Sequence, residues 1–239
     1  MMTRTILVIV AHPDDCELTC AGAVARWIQQ GDRAVLLVAT DGARGGKLPG
    51  SVAERVVRER REEQRAAADV LGIEEVLFLG FPDGELRDDV ELRGALVEQI
   101  RRLKPDVVVL PDPLTVIYHN YYVNHRDHRM LGIAALDAMY PEASNAGYFP
   151  DQLEAGLEIH KVPEVLLAQT EAPNYWVDVS ETLDTRFDAL RRHRSQIALW
   201  PENGEAVIRQ QRELAGLIGL EHGVQYAEEY RRVVVNPLA

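Results

Sequence analysis

The strongest constraint on the fold is an alternation: short, nearly continuous aliphatic runs, each followed by a segment of helical periodicity, four times in succession. "RTILVIVAH" (residues 4–12) is aliphatic without a break, as expected of a strand covered on both faces. "ELTCAGAVARWIQQG" follows, with Leu18, Ala21, Ala25 and Ile28 at helical spacing and Gly31 as a stop. "RAVLLVATDG", "EVLFLG" and "DVVVLPDP" repeat the strand signature. Between them lie two more helical segments, "VAERVVRERREEQRAAADVLG", closed by Gly72, and "DDVELRGALVEQIRRLKP", closed by Pro105. Doubly buried strands joined by helices predict an α/β protein: a mostly parallel, doubly wound sheet flanked by helices on both faces.

Further on, "NHRDHRMLGIAALDAM" reads as a helix, and "EVLLAQT" and "NYWVDVS" as two strands. "SETLDTRFDALRRHRSQI" and "GEAVIRQQRELAGLIGL" read as closing helices, so the C-terminal third is expected to cover the sheet edge. No repeat, low-complexity segment or linker interrupts the 239 residues, which predicts one domain over 1–239. A net charge of −12 argues against nucleic acid or an anionic membrane as a partner through general electrostatics. Cys16 and Cys20, four apart in one predicted helix, read as small apolar residues rather than a disulfide framework, which points to a reducing compartment. "ILVIVA" is too short for a secretory signal and no run approaches membrane-spanning length, so a cytoplasmic protein without membrane insertion is expected.

Doubly wound sheets carry their sites beyond the carboxyl ends of the strands. His12, Asp14 and Asp15 fall where the first strand ends, and the His-x-x-Asp spacing lets His12 and Asp15 converge while Asp14 projects elsewhere. The turn lacks G-x-G-x-x-G, which counts against a dinucleotide. An aspartate-capped helix start is the alternative reading of "HPDD". "NHRDHR" places His125, Asp127 and His128 beyond the fourth strand. Two histidines three apart share a helix face and the aspartate between them can orient one, although a solvated helix start would look similar. The first and fourth strands can be neighbours where the winding reverses. His12, Asp15 and His128 would then form a three-ligand set with an open position, suited to catalytic zinc or to Fe(II), so the ligands alone leave the metal open. "TDGARGGKLPGS", after the second strand, is expected to be a mobile loop over the site.

These motifs resemble those of the PIG-L/LmbE-like N-acetylglucosaminyl deacetylases: "AHPDD" after an N-terminal strand, the downstream H-x-D-H, "RREEQRAAADVLGI", "LGFPDGEL" and "NYWVDVSETLDTRFDALRRHRSQ". The resemblance spans nearly the whole chain. It implies a Rossmann-like fold, one Zn2+ per chain (Fe2+ or another divalent metal as the alternative), and hydrolysis of the N-acetyl group of a small-molecule amino sugar. Substrates of that family include GlcNAc-phosphatidylinositol and the precursors of mycothiol and bacillithiol. Residue by residue it implies His12, Asp15 and His128 as metal ligands and Asp14 as general base. His125, if protonated, would stabilise the oxyanion, with Asp127 orienting His125. Arg60 would order the site or contact substrate, unless it is an ordinary i,i+3 partner of Glu63.

Arg44 and Lys47 hint at an anionic substituent on the sugar. Tyr118, Tyr121 and Tyr122 of "LTVIYHNYYVN" either stack on a sugar ring, with Tyr118 the candidate contact, or form a packed rim; His119 reads as a solvated loop residue. Two departures from the pattern stand out: Glu171 lies nearest to where some relatives place a further histidine, and Ala43 and Arg44 replace an acidic residue common in the glycine-rich loop. Relatives are often oligomeric, which makes a homo-oligomer an expectation here. His160, His193 and His222 receive no role, and Trp27, Trp176 and Trp200 are expected in the core or an interface. Two rivals remain. An Fe(II) oxygenase could use the same triad, although such triads usually sit on β-sandwich barrels. A non-catalytic sugar-binding relative would have no need of the base Asp14.

Overall fold

The computed structural model describes residues 3–46, 52–118, 120 and 122–235. Strand β1 (Thr5–Val10) leads through α1 (Asp15–Thr19) and α2 (Ala21–Gln29) to β2 (Arg33–Thr40). Helix α3 (Ala53–Leu71) leads to β3 (Glu75–Phe81), and α4 (Val90–Leu103) to β4 (Val107–Pro111). A small hairpin, β5 (Ile117–Tyr118) and β6 (Tyr122–Val123), precedes α5 (Arg126–Asp137), α6 (Pro150–Glu154) and β7 (Glu164–Ala168). The chain closes with β8 (Tyr175–Asp178), α7 (Leu183–Leu190), α8 (Arg194–Ile197), α9 (Glu205–His222) and β9 (Ala227–Val234).

Seven strands form one sheet in the order β3-β2-β1-β4-β7-β9-β8. The five from β3 to β7 are parallel, and β9 runs antiparallel to both of its neighbours. The winding runs outward from β1 to β3 and then returns to place β4 on the other side of β1. The crevice between the ends of β1 and β4 is therefore the topological switch point, where such sheets bind ligands.

The unbroken aliphatic strands have the expected cause. Ile6, Val8 and Val10 of β1 enter a core shared with α2, α3, α7 and α9, while Leu7 and Ile9 enter the opposite core with α4 and α5. Fully burying each such side chain stabilises the fold by about 1.5–3 kcal/mol. Cys16 and Cys20 are free and lie in this core. Among the described residues no helix is long and apolar enough to cross a membrane.

Three details differ from the sequence expectation. The first helix is two, α1 and α2, broken at Cys20. The cause is Glu228 of β9, whose carboxylate accepts from the first free N–H groups of α2, Gly22 (3.1 Å) and Ala23 (2.9 Å). A Cβ on Gly22 would stand 2.5 Å from that carboxylate. Secondly, the helix expected over 180–197 is interrupted at His193, which separates α7 from α8. Thirdly, the C-terminal third does not simply cover the sheet edge: the expected strand in "NYWVDVS" (β8) and an unexpected one, β9, extend the sheet. The charged sequence of β9 hides that role, because the buried Glu228 is also satisfied by Arg186 (3.0 Å) and by the Tyr230 hydroxyl (2.8 Å).

Candidate metal centre and catalytic cleft

Beyond the switch point, β1 ends in a tight turn, His12-Pro13-Asp14-Asp15, that enters α1. Asp14 holds φ at +95°, in the left-handed region that costs a non-glycine residue about 1–2 kcal/mol. Its side chain makes no capping hydrogen bond, so the capped-helix reading of "HPDD" does not apply. Freed from capping, the Asp14 carboxylate lies 3.2 Å from the Arg60 guanidinium of α3. Asp15 accepts from the backbone N–H of His12 at 2.7 Å, which folds its carboxylate back toward that ring.

His12 and His128 converge on the same carboxylate oxygen. Asp15 Oδ2 lies 3.3 Å from His12 Nδ1 and 3.1 Å from His128 Nε2. Which nitrogens carry protons follows from their other contacts. Asn124 donates its amide N–H to the Thr115 carbonyl (2.8 Å), so its oxygen faces His128 Nδ1 (3.2 Å) and takes that N–H. His128 Nε2 is then a buried lone pair without a hydrogen-bond partner, turned toward a carboxylate oxygen. His12 Nε2 faces Asp127 (3.2 Å) and Asp83 (3.3 Å), which leaves Nδ1 as its lone pair. With both imidazoles neutral, two lone pairs and a carboxylate so placed repel one another unless a proton or a metal ion lies among them. A tetrahedral ion with bonds of about 2.0–2.1 Å needs ligand atoms about 3.3 Å apart, close to the two separations seen. These two separations suit a small divalent metal.

The electrostatics agree. Burial disfavours a charged His12, but Asp15, Asp127 and Asp83 outweigh it and push its pKa up to about 12. A position that favours a proton so strongly suits a metal cation as well. Burial would raise Asp15, yet His128 and His12 hold it well below the ordinary carboxylate value. Asp14 goes the other way. Burial raises it and the neighbouring Asp15 adds to the rise, while Arg60 opposes both, leaving a pKa of about 6.

Asp127 differs from expectation. Its carboxylate orients His12, not His125, and is itself held by the N–H groups of Gly84 (2.6 Å) and Leu86 (3.2 Å). His125 instead accepts the backbone N–H of Asp127 at Nδ1 (3.2 Å), capping α5 and leaving Nε2 to carry the proton. Burial, with His12 and His128 adding to it, lowers the His125 pKa.

An open cleft of about 680 Å³ lies over this cluster. Its walls include His12, Asp14, Asp15, His125 and His128, with Tyr122 and Trp200 as aromatic residues. Arg44 lines it, with its guanidinium paired to Glu85 and its N–H bonded to Asp83 (2.9 Å). Arg60 is only 4% exposed and spends its donors on the carbonyls of Pro13 (2.5 Å) and Gly42 (2.9 Å) as well as on Asp14. These contacts order the turn, Arg60 also lines the cleft, and Glu63 turns elsewhere, accepting from the N–H and hydroxyl of Ser195, both at 2.7 Å. The glycines of the loop after β2 make room for Arg60, since a Cβ on Gly42 or Gly45 would stand 2.8 or 2.6 Å from its Nη1.

Tyr118 lies beside a neighbouring cavity with Leu18 and Gln169, whereas Tyr122 lines the cleft. Glu171 is exposed and does not line the cleft. Lys47, His119 and Tyr121 lie outside the described residues. Sequence reasoning gave no role to Asp83, Gln64, Glu17 or His193, all buried near the cluster, and it placed Trp200 in the core or an interface. The one available signal was for Asp83, which follows the carboxyl end of β3.

Residues 7–139 match the family described as PIG-L, GlcNAc-PI de-N-acetylase. The chain is 33% identical over 235 residues to diacetylchitobiose deacetylase of Thermococcus kodakarensis, covering 96% of this chain and 83% of that protein. The structure of N,N'-diacetylchitobiose deacetylase from Pyrococcus horikoshii with its inhibitor MPG superposes with a TM-score of 0.88 at 28% identity, covering 99% of this chain and 88% of that one. A 4-oxalmesaconate hydratase of Pseudomonas putida is 30% identical over 212 residues, covering 82% of this chain and 76% of the relative.

Proposed function

Since the chain belongs to the PIG-L family, we propose that it is a metal-dependent hydrolase that removes the N-acetyl group from a GlcNAc-type amino sugar or its conjugate. The observation that carries this reading is the convergence of His12 Nδ1 and the orphaned His128 Nε2 on Asp15 beside a buried Asp14. His12, Asp15 and His128 would hold the metal. Zinc is the proposed ion, given its two-nitrogen, one-carboxylate ligand set with an open position.

When bound, the ion supplies Lewis acidity, which polarises an amide carbonyl and makes water acidic near neutral pH. Asp14 takes the proton from the attacking water; its pKa of about 6 suits a base working near neutrality. Arg60 keeps the carboxylate aimed at the cleft. His125 donates a hydrogen bond from its Nε2–H to the oxygen of the tetrahedral species, while its Nδ1 is fixed by the Asp127 N–H. Asp127 and Asp83 hold Nε2 of His12, so that its other nitrogen faces Asp15. Asp14 then returns its proton to the departing amine. Tyr122 and Trp200 offer apolar walls for a sugar ring, and Arg44 at the rim can meet an anionic substituent.

The test is acetate release by zinc-loaded protein from GlcNAc, diacetylchitobiose, and the α-glycosides of GlcNAc with malate and inositol. Metal-dependent acetate from one of them is expected. No acetate from any would overturn the amino-sugar reading, and turnover that requires oxygen and iron would transfer the site to oxygenase chemistry.

A further inference from the structure

Behind Asp14, on the side away from the cleft, lies a row of polar side chains with no exposure at all: Gln64, Glu17 and His193. Gln64 stands one helical turn after Arg60 on α3, and both reach the turn that contains Asp14. The Asp14 N–H donates to Gln64 Oε1 at 3.0 Å, and Gln64 Nε2 donates to Glu17 Oε1 at 2.9 Å. The other oxygen of Glu17 lies 3.3 Å from His193 Nε2.

The two ends of the Gln64 amide have different tasks. Asp14 offers a backbone donor and Glu17 offers only an acceptor, so the bridging group must accept on one side and donate on the other. A primary amide of glutamine length does both. A carboxylate at the same place would satisfy Asp14 but face Glu17 with like charge, and an apolar side chain would satisfy neither. Asp14 needs such a hold, because its φ of +95° is a conformation that residues with a side chain rarely keep unaided. Arg60 grips the carbonyl of Pro13 and the carboxylate of Asp14, while Gln64 grips the N–H between them.

We infer that Gln64 is a positioning residue for Asp14, fixing the left-handed backbone that aims its carboxylate into the cleft, with Glu17 fixing the direction of the Gln64 amide. The inference rests on the reading of Asp14 as the general base. Gln64 touches neither substrate nor metal, and its effect passes through one backbone N–H.

Two measurements test it. The first needs no substrate: in a crystal structure of Gln64→Met, Asp14 is expected to leave the left-handed region and its carboxylate to part from Arg60. An unchanged Asp14 would overturn the inference, whatever the protein turns over. The second is kinetic. Gln64→Met should lower kcat at least tenfold while KM changes less than about twofold and zinc stoichiometry stays full. Wild-type kcat in this variant would also overturn it. Should Gln64→Met fail to fold, an exchange of partners decides. Gln64→Glu alone sets two carboxylates face to face, whereas Gln64→Glu combined with Glu17→Gln restores one acceptor for Asp14 and one donor between positions 17 and 64. The double variant should recover most of the kcat and thermal stability lost by the single one. A double variant no better than Gln64→Glu would overturn the inference. A wild-type protein that releases no acetate would count against the deacetylase reading alone, since the crystallographic arm still reports on Asp14.

Discussion

Asp14 and Asp15 are adjacent in the chain yet titrate in opposite directions, and the difference lies in what each faces. Asp15 lies between two imidazoles, while Asp14 has one guanidinium against the cost of its burial. Asp14→Asn keeps the shape and removes the base, so it should retain a full complement of metal by elemental analysis and lose about 10²–10⁴-fold in kcat. Unchanged turnover would remove Asp14 from the mechanism. Arg60→Met tests the same carboxylate through its charge. Arg60 lowers the Asp14 pKa, so its loss must raise that pKa. The base is active when ionised, and the acid limb of the kcat profile should therefore move to higher pH. A limb that stays in place or moves lower would separate Arg60 from Asp14.

At the scale of elements, the site depends on how closely α5 approaches the end of β4. Gly132, one turn beyond His128, allows this approach, because a Cβ there would meet the Pro111 carbonyl at 2.5 Å and the Pro113 ring at 2.9 Å. Gly132→Ala should destabilise the protein by about 1–3 kcal/mol through overpacking. Because His128 rides on the same helix, zinc retention on dialysis should fall as well. Ile133→Ala, at an exposed neighbour, should change neither. The helix and its histidines were legible in "NHRDHRMLGIAALDAM", because periodicity and position at a strand end are both local signals. Which histidine Asp127 orients was not legible. The loop after β3 presents the Gly84 and Leu86 N–H groups to Asp127 and swings its carboxylate toward His12, and that contact spans the switch point. Gln64 was hidden for a similar reason: in "REEQRA" nothing local separates a glutamine buried under the turn from one in solvent. Tyr118 and Tyr122 face each other across the β5–β6 hairpin, and only the surrounding fold decides which of them lines the cleft.

For the molecule as a whole, the four aliphatic runs announced the parallel half of the sheet because each is buried on two faces. The antiparallel half was far less visible. Strand β9 carries charges whose partners lie distant in sequence, and Glu228 joins the start of α2, Arg186 of α7 and Tyr230 into one buried cluster. Removing that carboxylate leaves Arg186 buried without its counter-charge. Glu228→Ala should therefore cost about 3–5 kcal/mol in denaturant unfolding. Glu228→Gln, which can still accept from Gly22 and Ala23, should lose less. A loss below about 1 kcal/mol in the alanine variant would show that the cluster is not coupled to global stability.

The strand order also sets a timetable for synthesis. In the order β7-β9-β8, the latest of these three strands lies between two earlier ones, and among the described residues β8 pairs only with β9. A growing chain can wind β1 to β4 and bring residues 12–15 against residues 124–128 while β8 still has no strand to pair with. His12, Asp15 and His128 can thus meet before this sheet is complete, and β8 gains its pairing strand only when residues 227–234 have emerged.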